Sequence, residues 1–150
     1  GMVEVTLELR KAISREIRRF RPDLVITQSP ERNWERIYAS HPDHMAAGEA
    51  TIRAVYPDAR NPHAFPELLE EGFAPHAVPQ VWVGGAPFSI VVDTTKHIER
   101  KLAALRCHVS QVGNGEGLED RLRFWGRANA KAAGLKKTRL AEGFRVLDTK

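Results

Sequence analysis

The stretch Asp23-Leu24-Val25-Ile26-Thr27 constrains the fold more than any other part of this 150-residue chain. It is short, apolar and β-branched, which reads as a buried strand. Before it, Leu9, Ile13, Ile17 and Phe20 recur at helical spacing, which predicts an amphipathic helix over 5–20 that ends at Arg21-Pro22. After it, Gln28-Ser29-Pro30 breaks the strand, and a polar loop with Trp34 and Tyr38 embedded runs to Ser40. A second helical pattern starts at Pro42, carries Ala47, Ala50, Ala54 and Val55 on one side, and stops before Pro57. Helix, buried strand, helix is the pattern of a parallel α/β sheet. In open sheets of that kind, ligands bind beyond the carboxyl ends of the strands.

The remaining chain fits the same class. Between Pro57 and Pro79 it is irregular and proline-rich, with Leu68, Leu69 and Phe73 anchoring a short helix. Two strands follow, over 80–84 and 88–93. The connection Gly84-Gly85-Ala86-Pro87 allows either a hairpin or separate places in the sheet. Asp93, Thr94 and Thr95 offer capping side chains to the next helix. There Ile98, Leu102, Leu105, Val109 and Val112 predict one long helix, ended by Gly113-Asn114-Gly115. Leu118, Leu122, Trp125, Ala128 and Ala132 predict a last helix closed by Gly134. No element is predicted for the tail that holds Leu140, Phe144 and Val146. With 42% hydrophobic residues the chain can build an ordinary core, and a single domain over 1–150 is expected.

Charge excludes little. The net +4 comes from 23 basic and 19 acidic residues, mixed along the chain, which does not argue for a nucleic-acid partner. Arg10, Arg15, Arg18 and Arg19 form either a nucleic-acid-binding stripe or a solvated helix face, diluted by Glu8 and Glu16. Cys107 is the only cysteine, so no intrachain disulfide is possible, which fits a reducing compartment. No apolar run reaches membrane-spanning length and no signal peptide is visible, so a cytoplasmic location is expected. Gly1 ahead of Met2 reads as a residue left by tag removal.

The chemistry concentrates in His41-Pro42-Asp43-His44. Imidazole is a common metal ligand and acid/base group near neutral pH. A carboxylate beside it can fix its tautomer and orientation. Pro42 suits the first position of a helix, so the cluster is placed at a helix N-terminus, where the dipole favours developing negative charge. On spacing alone the cluster is equally a capped helix start with solvated histidines, because His-x-x-His lacks the i, i+4 geometry of a zincin helix. His63 and His76 fall in the proline-rich stretch and read as loop histidines.

Pro22-Asp23-Leu24-Val25-Ile26-Thr27, His41-Pro42-Asp43-His44, Val92-Asp93 and the run from Lys101 to Gln111, which contains His108-Val109-Ser110-Gln111, occur in that order. Across about 18–146 this resembles the later half of the LmbE-like (PIG-L) zinc de-N-acetylases. The resemblance implies a Rossmann-like, mostly parallel sheet with helices on both faces. It also implies Zn2+-dependent removal of an N-acetyl group from a glucosamine-type sugar conjugate. His44 would bind zinc, His41 would polarise the carbonyl or stabilise the oxyanion, and Asp43 would orient His41. His108 would lie beside the site in a supporting position. The family's earlier His-Pro-Asp-Asp stretch, the source of two more zinc ligands and the general base, is absent here, as are the first strands of its sheet. A catalytic zinc normally has three protein ligands, and this chain carries one recognisable ligand. The chain is therefore expected to be inactive alone. Its partner would be the missing N-terminal half of the fold or a second copy of itself, or else it is a degenerate binding module. The expected ligand is an N-acetylated sugar, with neither nucleic acid nor a membrane span involved.

Overall fold

The computed structural model describes residues 1–150, which divide into two compact units. The first comprises residues 1–88 and 144–150, and the second residues 89–143. Four strands lie in the order β1-β2-β4-β3, where β1 is Leu24–Gln28, β2 is Gln80–Gly84, β3 is Ile90–Asp93 and β4 is Ala141–Asp148. The chain is thus the expected α/β sheet with flanking helices. Because β4 lies between β2 and β3, those two do not form a hairpin.

In the first unit, α1 (Leu7–Phe20) is capped by Thr6, whose Oγ1 accepts the Leu9 N–H at 3.1 Å. It ends at Arg21 in the left-handed region, φ 53°, just before Pro22. β1 follows and pairs in parallel with β2, from Leu24 opposite Gln80 to Gln28 opposite Gly84. The crossover between them contains α2 (Pro42–Val55) and the short α3 (Glu67–Glu70). Residues 145–148 of β4 pair antiparallel with β2, Val83 facing Arg145 and Gln80 facing Asp148. The core joins Ile17, Ala54, Val55, Ala59, Val78, Val81 and Val83, with Ile13, Val25 and Leu147 packed against it.

Two contacts set how this unit closes. Gly48 lies where α2 crosses the end of β1, and a Cβ there would stand 2.3 Å from the Gln28 carbonyl oxygen. Only glycine lets the helix backbone approach that closely. Arg18 is 2% exposed. Its Nε donates to the Ala59 carbonyl at 3.1 Å, and its Nη2 to those of Asp58, Asn61 and Ala64 at 3.0, 2.9 and 2.9 Å. Burial lowers the pKa of this guanidinium, but an arginine remains charged and forked at neutral pH. The other arginines of the helix are also engaged within the chain. Arg10 grips Asp58 through two bonds, Arg15 grips Glu71, and Arg19 pairs with Glu16. The stripe considered from sequence is therefore a set of intramolecular anchors.

In the second unit, α4 (Ile98–Arg106), α5 (Val109–Val112) and α6 (Leu118–Ala132) build a core of Ile98, Leu102, Leu118, Leu122 and Leu140. The single long helix expected over 98–112 is two helices. The chain leaves helical geometry at His108, φ −91° and ψ 60°. The break lets Val112 pack on the core while Val109 stays 67% exposed, so the apolar spacing spans two helices. The tail forms β4, whose strand period is masked by Glu142, Gly143 and Arg145.

Candidate functional site

The site is built on the start of α2, which follows β1 through the loop of residues 29–41. That loop is fixed by its own polar side chains. The Ser29 N–H donates to the Gly84 carbonyl at 2.9 Å, joining the carboxyl ends of the two parallel strands. Asn33 Oδ1 accepts the N–H groups of Glu35 and Arg36 at 3.1 and 2.9 Å, a side-chain turn of the kind Asn favours. Ser40, buried at 4% exposure, accepts the Asn33 N–H on its Oγ at 2.7 Å. Ser40 thereby delivers the chain to His41 in a defined direction. Sequence reasoning missed it, although a serine beside the histidine cluster and an Asn-x-x-Arg turn were available signals.

His41 is the N-cap of α2, and its Nδ1 accepts the Asp43 N–H at 3.2 Å. A ring that accepts at Nδ1 carries its proton, when neutral, on Nε2. Half of the His41 side chain is exposed, so that Nε2–H is available as a donor. His44 is also exposed, and its ring centroid is 5.4 Å from that of His41, inclined by 49°. Asp43 turns mainly to the N-terminal segment. Its Oδ1 accepts the Val3 N–H at 2.9 Å, and its Oδ2 is 3.8 Å from the Gly1 ammonium and 4.0 Å from His41 Nδ1. The bond from Val3 is the chief reason its carboxyl pKa is lowered, with the Gly1 ammonium and His41 adding to it. The helix dipole favours a carboxylate in this first turn.

The structure thus gathers His41, Asp43 and His44 at one helix end. His108 belongs to the second unit and is exposed at the break between α4 and α5. His76 is a structural tie, because its Nε2 donates to the Pro22 carbonyl at 2.8 Å. His63 is exposed, and its N–H donates to Asn61 Oδ1. No group of three or more His, Cys, Asp or Glu side chains is placed to hold a metal ion. The donors of this chain therefore do not by themselves fit a catalytic zinc with three protein ligands.

No protein-family model matches the chain. It is 32% identical over 127 residues to 1D-myo-inositol 2-acetamido-2-deoxy-alpha-D-glucopyranoside deacetylase 1 of Saccharopolyspora erythraea, covering 70% of this chain and 39% of that protein. It is 31% identical over 104 residues to the probable N-acetyl-alpha-D-glucosaminyl L-malate deacetylase 2 of Bacillus anthracis, covering 69% and 41%. Among solved structures, N,N'-diacetylchitobiose deacetylase from Pyrococcus horikoshii, complexed with its inhibitor MPG, superposes with a TM-score of 0.84 at 28% identity. That match covers 98% of this chain and 54% of the other. The chain spans about two fifths of the length of these two relatives and about half of that of the solved deacetylase. No helix is long and apolar enough to cross a membrane.

Proposed function

Because the chain belongs to the LmbE-like deacetylase family, we propose that it supplies one part of the active site of an enzyme that removes an N-acetyl group from a glucosamine-type sugar conjugate. The observation that carries this reading is the pairing of His41 and His44 at the start of α2, with the His41 tautomer set by the Asp43 N–H. A deacetylase must stabilise negative charge on the amide oxygen as the carbonyl carbon becomes tetrahedral. Preorganised donors aimed at that oxygen are commonly the largest single contribution to such a reaction. His41 Nε2–H is the donor this chain offers, and the positive end of α2 adds to its field. Asp43 supports the cluster from 4.0 Å.

His44 is the donor this chain would give to the zinc that the family implies, and a bound metal would supply Lewis-acid polarisation of the substrate. The remaining ligands and the general base would come from residues outside these 150. β1 stands at the end of the strand order, and Ile26 on it is 60% exposed. We assign the open side of β1 to the rest of the deacetylase fold, with a second copy of this chain as the alternative occupant. A degenerate binding module is the second functional reading.

The test is turnover of an N-acetylglucosamine conjugate by a deacetylase assembled around these residues. His41→Ala should lower turnover about 10²–10³-fold with the metal content unchanged. Unchanged turnover removes His41 from the mechanism. No turnover by any assembled form favours the binding module.

A further inference from the structure

A cleft of about 300 Å³ opens beside the carboxyl ends of β1 and β2, lined by Ser29 and residues 31–35 on one side and by Gly85, Ala86 and Pro87 on the other. Trp34 lines it and is 81% exposed. An aromatic ring exposed at the rim of a cleft offers its apolar face to a ligand. Trp34 is nevertheless held in place. The Arg32 guanidinium sits over the indole, 5.6 Å from its centroid, which braces one face of the ring. Asn33, the preceding residue, is fixed by the Ser40 hydroxyl and by its own turn. Around the ring the cleft carries the charged side chains of Glu31, Arg32 and Glu35. Glu35 and Glu31 are tied through their backbone N–H groups, to Asn33 Oδ1 and Ser29 Oγ, while the Glu31 carboxylate stands 3.9 Å from Arg145 Nη1.

We propose that Trp34 is the stacking platform for a pyranose ring of the substrate, with Arg32 bracing the far face of the indole and Glu35 bonding the sugar hydroxyls. The proposal rests on the deacetylase reading and names the substrate-positioning residue of that same site. A pyranose has an apolar C–H face and an equatorial belt of hydroxyls. A rigid aromatic plane flanked by charged hydrogen-bonding groups complements both features. The cleft is also linked to the reacting groups. Asn33 is bonded to Ser40, and Ser40 precedes His41, so a ring seated on Trp34 is referenced to the catalytic histidine through one hydrogen bond. Trp34 is a positioning residue and takes no part in the chemistry.

The experiment uses the 150-residue chain and titrates it with the β-1,4 disaccharide of N-acetylglucosamine. The readout is the indole N–H resonances of Trp34, Trp82 and Trp125. The expected result is a saturable shift of the Trp34 resonance. Trp34→Ala should weaken disaccharide binding about tenfold or more, and Trp34→Phe should keep most of it. Trp34 is too exposed for either change to threaten folding. The absence of a saturable shift, a shift confined to Trp82 or Trp125, or equal binding by Trp34→Ala overturns the proposal. Because this readout needs no turnover, it separates from the deacetylase reading. Lost sugar binding with His41-dependent turnover intact refutes only the stacking role, and stacking without turnover refutes only the chemistry.

Discussion

Replacing Gly48 by alanine tests the contact that sets the position of the histidine cluster. The added methyl carbon would lie 2.3 Å from the Gln28 carbonyl oxygen, 3.1 Å from its carbonyl carbon and 3.2 Å from the Pro30 nitrogen. All three atoms are backbone, at the end of β1 and the start of the loop to His41. Ordinary contact begins near 3.5 Å, so α2 and β1 must separate by about 1 Å. Intrinsic helix propensity acts in the other direction and favours alanine over glycine by about 1 kcal/mol. Overpacking of this kind costs about 1–3 kcal/mol, and lifting α2 also loosens Ala54 and Val55 from the core. Overpacking should prevail, leaving Gly48→Ala less stable by about 1–2 kcal/mol. Gly126 in α6 is the control, since a Cβ there meets the Leu140 side chain at 3.1 and 3.2 Å, which can yield. Urea titrations of both variants, followed by far-ultraviolet circular dichroism, decide the matter. A Gly48→Ala chain as stable as the parent, or more stable than Gly126→Ala, would refute the close-approach argument. In an assembled deacetylase, the same displacement at His41 should lower turnover by up to about 10²-fold.

Arg18→Met should destabilise the first unit by about 3 kcal/mol or more in the same titration, because the carbonyls of Asp58, Ala59, Asn61 and Ala64 lose a shared charged donor. Arg18→Lys should rescue it only partly, since an ammonium lacks the planar fork. The Asp43 carboxyl has a lowered pKa in the folded chain, so its stabilisation is present above the unfolded-state value and is lost as pH falls through the folded one. The stability difference between the parent and Asp43→Asn should therefore be constant near neutrality and close on acidification below about pH 4, as read by thermal melts across pH. Dialysed against zinc, the 150-residue chain should not hold a tight stoichiometric ion. In an assembled deacetylase, His44→Ala should remove zinc while His63→Ala and His76→Ala should not, as checked by elemental analysis.

Much of the fold was legible because local and tertiary preferences agree. Leu24–Gln28 forms the strand its β-branched run predicts, but not the buried one expected, because it stands at the end of the strand order with Ile26 60% exposed; Pro42 opens α2 as a first-turn proline should. The misses have physical causes. Arg18 looks like a solvated arginine in any helical wheel, and only the return of the chain over residues 58–64 supplies the carbonyls that bury it. The expected helix over 98–112 breaks because apolar spacing reports which side chains reach a core, not whether the backbone between them stays helical. The site shows the same division. The motif singled out His41, Asp43 and His44, which the structure gathers at one helix start, but the chief partner of Asp43 is the Val3 N–H, forty residues away, which no local pattern encodes.

The His41 cap joins folding and chemistry in one hydrogen bond. The Asp43 N–H is one of the unpaired donors at the start of α2, and His41 Nδ1 satisfies it. Satisfying it requires Nδ1 to be unprotonated, so the need of the helix selects the tautomer that presents Nε2–H to solvent. Protonation of His41 would remove that acceptor and leave the ring facing the Asp43 carboxylate, 4.0 Å away. Asparagine caps a helix at least as well as histidine through its side-chain oxygen, but it has no ring N–H at the far edge. His41→Asn should therefore keep α2 and its stability to within about 0.5 kcal/mol, whereas His41→Ala loses about 1 kcal/mol of cap. Both should lose turnover alike in an assembled deacetylase, and this divergence between the two readouts distinguishes a donor to the substrate from a helix cap. If His41→Asn kept both stability and turnover while His41→Ala lost both, His41 would be a cap alone, and the donor assigned to Nε2 would have to be sought elsewhere in the enzyme.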